Sequence, residues 1–238
     1  MKIPHPACEK VSDPSGGSAF LDLNLEDIAT VLLAAGIGIG ESAPHHAHLV
    51  VTIYRELAKG SPIAAGDLEA LARASGVPMD LASSAAARWL ELGPAGELVG
   101  FGGLTLRPTK HRLVLNGALT LYLWCALDGF LIAHALGQPV RIVTCCPTSG
   151  MPIVVAATAT HVEEVAPKTS VMSIIAPESN AACNVTDTRR GFCDFVNFYQ
   201  SEETALTSMR GRGGAVLTMD RAFSLAGLLT IPLANARP

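Results

Sequence analysis

The sequence contains no CxxC cysteine pair, little charge and no obvious leader, and each shortage excludes something. Its six cysteines are Cys8, Cys125, Cys145, Cys146, Cys183 and Cys193. Without CxxC spacing they give little support to a structural zinc site. Only 16% of residues are charged and the formal net charge is −4, so there is no bulk basic surface for a nucleic-acid backbone, and no nucleic-acid partner is expected. The start, MKIPHPACEKVSDPSGG, lacks the basic stretch running straight into an apolar one that marks a secretory signal. The expectation is a cytoplasmic protein with reduced thiols. The apolar run IATVLLAAGIGIG, residues 28–40, is shorter than the ~18 to 20 residues needed to cross a bilayer, so no membrane association is expected. Its Gly-Ile alternation matches neither GxGxxG nor the P-loop pattern and reads as a helix end turning into a loop.

What is present is apolar: 49% of the 238 residues are hydrophobic, enough for a substantial core. Residues 1–26 are rich in Pro, Ser, Gly and Asp and read as a loose arm. HHAHLVVTIYRELAKG places Leu49, Ile53 and Leu57 on one helical face and stops at Gly60. SPIAAGDLEALARASG and MDLASSAAARWLELG repeat the pattern. ELVGFGGLTLRPTKHRLVLNG then reads as two strands around a polar turn at Pro108 to Arg112. Three helices and a hairpin predict a winged-helix-like module. Leu119 to Leu136 reads as one continuous apolar helix. PVRIVTCC, MPIVVAATA, TSVMSIIAP and DFVNFYQ read as strands, and TMDRAFSLAGLLTIPLA as a last helix. The expected fold is α+β: an arm and apolar helix over residues 1–44, a winged-helix-like module over 45–115, and a catalytic domain with a mainly antiparallel sheet over 116–238.

The chemistry concentrates in LYLWCALDGF, residues 121–130. Positions i and i+3 share a helical face, which brings the Cys125 sulfur and the Asp128 carboxyl together. Apolar neighbours would raise the carboxyl pKa and let Asp128 hold a proton near neutrality. The plainer reading is a small core cysteine beside a capping carboxylate. Cys193, in RRGFCDFVNFY, follows the basic pair Arg189 and Arg190, whose charge lowers a thiol's pKa. Two thiols and a carboxyl without histidine suit a soft metal better than acyl transfer.

LYLWCALD and GFCDFVNF, with YRELAKGSPI, FGGLTLRPT, ALGQPVRIV and the AFSL segment near residue 223, resemble the alkylmercury lyases of bacterial mercury resistance. That resemblance implies that Cys125 attacks mercury, Asp128 delivers the proton and Cys193 is the second thiol. It further implies a protonolytic organomercurial lyase that leaves Hg(II) on Cys125, Cys193 and Asp128. No cofactor is implied. Small cytosolic thiols or a mercuric reductase would accept the ion. Cys146, in VTCCPTSG, matches a further family cysteine and reads as structural. Cys145 has no counterpart, and alternation along a strand turns it to the opposite face from Cys146. Asp194 stands where some relatives carry cysteine, and strand alternation would turn it away from Cys193.

Other candidates carry less. His45, His46 and His48 at a helix entrance read as solvated, His161 and Glu163 fall in a loop, and Met151 and Met172 read as core filling. Cys8 and Cys183 lie in polar surroundings. A winged-helix transcription regulator sensing metal or oxidant through its thiols is the rival reading. Its third helix would carry a single Arg88 against Asp80 and Glu91, a poor set for phosphate contacts.

Overall fold

In the structure, a computed structural model, residues 23–38, 44–77, 89–115, 117, 119–177 and 185–234 are described. Helices α1 (Leu25–Ala34), α2 (Pro44–Leu57) and α3 (Ala65–Ala74) come first. Asn24 caps α1 by accepting from the Asp27 N–H. The helix ends in a turn in which the Gly36 and Ile37 N–H groups bond back to Leu33 and Leu32, with Gly36 at positive φ. The GIGIG segment therefore begins as a helix end, as its pattern suggests. Leu49, Ile53 and Leu57 of α2 are buried together.

Eight strands form one antiparallel sheet: β1 (Leu90–Leu92), β2 (Leu98–Phe101), β3 (Leu104–Thr105), β4 (His111–Leu115), β5 (Leu119–Leu123), β6 (Val140–Cys145), β7 (Pro152–Ala157) and β8 (Val162–Ala166). Their order is β1-β2-β3-β5-β4-β6-β7-β8, so β5 inserts between β3 and β4. A second sheet has the order β10-β9-β11, from β9 (Val171–Ile175), β10 (Phe198–Tyr199) and β11 (Gly214–Thr218). Helices α4 (Ala126–Leu136), α5 (Val185–Gly191), α6 (Glu202–Ser208) and α7 (Met219–Ala234) complete the described elements. The expected α+β class with a mainly antiparallel sheet holds.

Several expectations need correction. The continuous helix over Leu119 to Leu136 is a strand followed by a helix: LTLYL alternates with period two and pairs with β3 and β4, and the helix starts only after Cys125. An unbroken apolar run hides this boundary, since periodicity cannot separate a buried strand from a buried helix. The hairpin over residues 97–117 is three strands, with Gly102 and Gly103 turning β2 into β3. The third helix expected of a winged-helix-like module lies mostly in residues 78–88, outside the described residues, and its last part, Leu90–Leu92, is the edge strand β1. DFVNFYQ contributes only the two residues of β10, because its first residues close a 3₁₀ turn, Cys193–Phe195. Glu163 lies on strand β8, beside His161, instead of in a loop. Cys8 and Cys183 fall outside the described residues.

Helix α4 is the centre of the molecule. Every residue but His134 is buried, which accounts for a helix that is apolar all round. It packs chiefly on α7, with α2 and β6 as further neighbours. Phe130 meets Phe223 edge-on at 5.6 Å and Phe198 at 5.8 Å, tying the helix to both α7 and β10. Gly129 is where α4 crosses β6: a Cβ there would collide with Ile142. The start of this helix is thereby held rigidly, and the start carries the site.

Candidate active site

Cys125 is the N-cap of α4, with extended backbone at φ −144° and ψ 174°. Its backbone N–H donates to Asp128 Oδ2 at 2.6 Å, and its sulfur accepts from the Asp128 N–H, a reciprocal capping box. The i to i+3 spacing read from the sequence is therefore real, but it works across a helix start and not along a helix face. Such a cap stabilises a helix by about 1 kcal/mol. Here it also fixes a thiol against a carboxyl.

The hairpin turn between β2 and β3 closes over this start. The Trp124 N–H donates to the Gly103 carbonyl at 2.8 Å, and the Tyr54 hydroxyl donates to the Gly102 carbonyl at 2.7 Å. Gly103 has φ +97°, and a Cβ there would collide with the Asp128 carboxyl, so only glycine leaves room for the acid. The Trp124 indole N–H donates to Glu91 at 3.0 Å, and Arg107 meets the other Glu91 oxygen at 3.3 Å. Glu91 is thus a buried carboxylate partnered on both oxygens, which anchors the residue before Cys125.

Cys193 arrives on the segment that leads into β10 of the second sheet. It opens the 3₁₀ turn after α5 and is 3% exposed. The Ala126 N–H donates to the Val196 carbonyl at 3.1 Å, stitching this turn to the start of α4. Ser173 of β9 donates to the Phe195 carbonyl and accepts from the Asn197 N–H. The sulfurs of Cys125 and Cys193 and a carboxylate oxygen of Asp128 all lie within 4.8 Å of one another, and all three residues are buried. No other cluster of three or more His, Cys, Asp or Glu of this kind occurs among the described residues.

Burial dominates the electrostatics. It pushes the Asp128 carboxyl up to about 7, against the hydrogen bonds from Cys125 and the charge of Arg189. Burial also raises the Cys125 thiol, helped by its hydrogen bond to Cys193 and by Asp128. For Cys193 the Cys125 hydrogen bond works downward and burial upward, and the net shift is upward. Arg189 lowers Cys193 as the sequence suggested, and Asp194 sits in a 3₁₀ turn, not the expected strand, exposed while Cys193 is buried, so that its charge adds only a lesser upward influence. Lys110, whose own pKa is lowered by burial, feels both site thiols.

A pocket opens onto Asp128 and Cys193, walled by Trp89, Trp124, Leu127, Leu131, Phe192 and Ile37. It would take an apolar group against the acid.

The remaining sequence candidates stay apart from this cluster. Cys145 is exposed at the end of β6, and Cys146 is buried on the other side. His48 is exposed. His161 bonds to Thr158 and Thr160. Met172 is core, and Met151 is 44% exposed. Sequence reasoning missed Gly103, Glu91 and Lys110. The double glycine in FGGLTL was the one available signal, marking a backbone that needs unusual φ or close approach.

The family model described as alkylmercury lyase matches residues 104–230. An alkylmercury lyase of Bacillus cereus is 34% identical over 150 residues, spanning 63% of this chain and 66% of that protein. One of Pseudomonas putida is 30% identical over 204 residues, 83% of this chain and 90% of its own length. Among solved structures, the crystal structure of the mercury-bound form of MerB2 has a TM-score of 0.67 at 22% identity, covering 88% of this chain and 98% of that one, a likeness of fold. With the family match running from β3 through the Cys125 and Cys193 segments into α7, the chain belongs to the alkylmercury lyase family.

Proposed function

We propose that the chain is an organomercurial lyase that cleaves carbon–mercury bonds by protonolysis, with Cys125 and Cys193 binding mercury and Asp128 giving the proton. The observation that carries this reading is the buried convergence of two sulfurs and a carboxyl within 4.8 Å. Soft sulfur ligands select a thiophilic metal, and a desolvated acid poised near 7 is matched to proton donation at neutral pH.

The steps balance with these groups and water. The substrate arrives as an organomercury–thiol adduct, with its organic group in the apolar pocket beside Asp128. Cys125 attacks mercury as its proton passes to the departing carrier thiolate, which leaves as a thiol. Cys193 then gives up its proton to water and binds as the second sulfur ligand, and electron density from both sulfurs moves toward carbon. Asp128 protonates that carbon as the carbon–mercury bond breaks. Hydrocarbon departs, and Hg(II) stays on Cys125 and Cys193 beside the Asp128 carboxylate. Two small thiols carry the ion away as a dithiolate and return two protons to the site, the third coming back from water, in the cytoplasm, toward a mercuric reductase. No cofactor enters this balance. Residues 116–238 supply all three reacting groups, while residues 45–115 cover them through Tyr54 and Gly103.

The test is to incubate reduced protein with a phenylmercury or methylmercury salt and excess thiol. Benzene or methane is the expected product. If neither appears while the protein remains folded, the proposal is wrong.

A further inference from the structure

The apolar pocket beside Asp128 is aromatic to a degree that the chain as a whole is not. Only 5% of the residues are aromatic, yet both tryptophans of the chain, Trp89 and Trp124, line this pocket together with Phe192. Aliphatic side chains would exclude water as well. What rings add is flat faces and polar edges, which favour another ring in offset or edge-on contact.

The walls have two origins. Trp124 and Phe192 fall inside residues 104–230, the stretch shared with the family, as do Cys125, Asp128 and Cys193. Trp89 falls outside that stretch and comes from the edge of the large sheet. Its carbonyl accepts from the Gly102 N–H at 3.1 Å, one step beyond the pairing of Leu90 with Phe101. Gly102 adjoins Gly103, whose lack of a side chain leaves room for the Asp128 carboxyl, so Trp89 is tied to the turn that covers the acid. Two residues on, Glu91 accepts from the Trp124 indole N–H at 3.0 Å. The Glu91 carboxylate lies against Gly100, where a Cβ would collide with it. Facing repeats every second residue along extended chain. One short edge segment thus supplies an aromatic wall through Trp89 and, through Glu91, fixes the ring of another.

We propose that Trp89 is a specificity-determining residue that fits the pocket to a planar aryl group, so that arylmercury compounds are favoured over small alkylmercury ones. The inference rests on the lyase reading above. With mercury on the two sulfurs and the reacting carbon at Asp128, a methyl group ends where the acid acts. A phenyl group carries the rest of its ring past that point, into the space lined by Trp89, Trp124 and Phe192. Contacts away from the breaking bond are made equally in the bound substrate and in the transition state, so they act on KM and not on kcat.

The test compares turnover of phenylmercury and methylmercury by the full-length protein with excess thiol, in the wild type and in Trp89→Phe, Trp89→Leu and Trp89→Ala, each checked for folding by circular dichroism. The two substrates differ in intrinsic reactivity, and that difference cancels when the phenyl-to-methyl ratio of kcat/KM in a variant is divided by the wild-type ratio. Trp89→Leu and Trp89→Ala are expected to lower the ratio by roughly five- to tenfold, the scale of one lost aromatic contact, through a higher KM for phenylmercury at unchanged kcat. Trp89→Phe keeps a ring and should hold the ratio within about twofold. A purely structural role would weaken both substrates alike, because Glu91 and Trp124 serve both. If the alanine protein fails to fold, the Phe and Leu variants decide the question between them. If the wild type releases neither benzene nor methane, the lyase reading fails and this inference falls with it. If the wild type turns both substrates over and the ratio is unchanged in Trp89→Leu, or falls as far in Trp89→Phe, the role of Trp89 alone is overturned.

Discussion

Two pairs of cysteines in this molecule have opposite fates. Cys145 and Cys146 are neighbours in sequence, yet one faces solvent and the other the interior, because successive residues at the end of a strand point to opposite faces. Cys125 and Cys193 are distant in sequence, one at a helix N-cap and the other in a 3₁₀ turn, and meet within a few ångströms. Their electrostatics differ as well. Burial raises both site thiols, whereas Cys146 is lowered: burial works against the shift, but hydrogen bonds from the Ser149 hydroxyl and nearby backbone outweigh it. The thiol with the lower pKa is thus outside the site. What distinguishes the site pair is a second sulfur and an acid, not a greater thiolate population.

The largest effect is expected from breaking the distant pair. Cys125→Ala and Cys193→Ala should each abolish turnover of phenylmercury, with loss of tight Hg(II) retention after desalting. Cys145→Ser should leave both measurements within about twofold, the range expected of an exposed substitution. A Cys193→Ala protein with full turnover would remove that residue from the mechanism. An inactive Cys145→Ser protein would mean that adjacency matters after all.

Asp128→Asn tests the acid separately from the sulfurs. The amide oxygen can still accept from the Cys125 N–H and keep the helix cap, so Hg(II) binding should persist while hydrocarbon release falls by about a thousandfold or more, near the upper range for a lost general acid. In the unaltered protein, kcat should fall as pH rises through about 7, where Asp128 loses its proton. Stability follows the same group. Its folded pKa lies above the unfolded value near 3.8, so the folded state binds more protons between those values and stability decreases as pH rises through that window. The Asn variant escapes this loss. Its melting temperature should exceed that of the wild type at pH 8, and by less at pH 4. A lower melting temperature at pH 8 would mean that the ionised carboxyl is stabilising.

The same contrast explains what could be read from the sequence. Cys125 and Asp128 were legible because their spacing brings side chains together in a helix and also across an N-cap. The apolar helices Leu25–Ala34 and Met219–Ala234 and the strands Val140–Cys145, Pro152–Ala157 and Val171–Ile175 were legible by periodicity and β-branched content. The grouping of Cys193 with Cys125 followed from residue type and was given its roles by family resemblance, since no local pattern joins two segments so far apart in the chain. The boundary at Leu123 was hidden inside an apolar run. Glu91 was invisible because its role depends on a tertiary neighbour, Trp124, that local sequence does not specify. The strand expected at Asp194 was misplaced for a related reason: its first residues form a 3₁₀ turn whose Phe195 carbonyl accepts from Ser173 of another segment.

Glycine offers the finest comparison between the two regions. Gly103 beside the site and Gly150 beside Cys146 both have positive φ, +97° and +73°, so alanine at either position meets backbone strain of about 1–2 kcal/mol. At Gly150 the added methyl group enters open space. At Gly103 it strikes the Asp128 carboxyl, which must turn away from the Cys125 N–H. Gly150→Ala should therefore lower the melting temperature by a few degrees and leave kcat unchanged. Gly103→Ala should show a comparable or larger melting loss together with about a tenfold fall in kcat, the smallest of the activity effects because the acid is displaced and not removed. The pH at which kcat falls should also move, since the hydrogen bonds that oppose burial at Asp128 are weakened and its pKa rises further. Equal activity in the two alanine variants would show that Gly103 serves the turn alone.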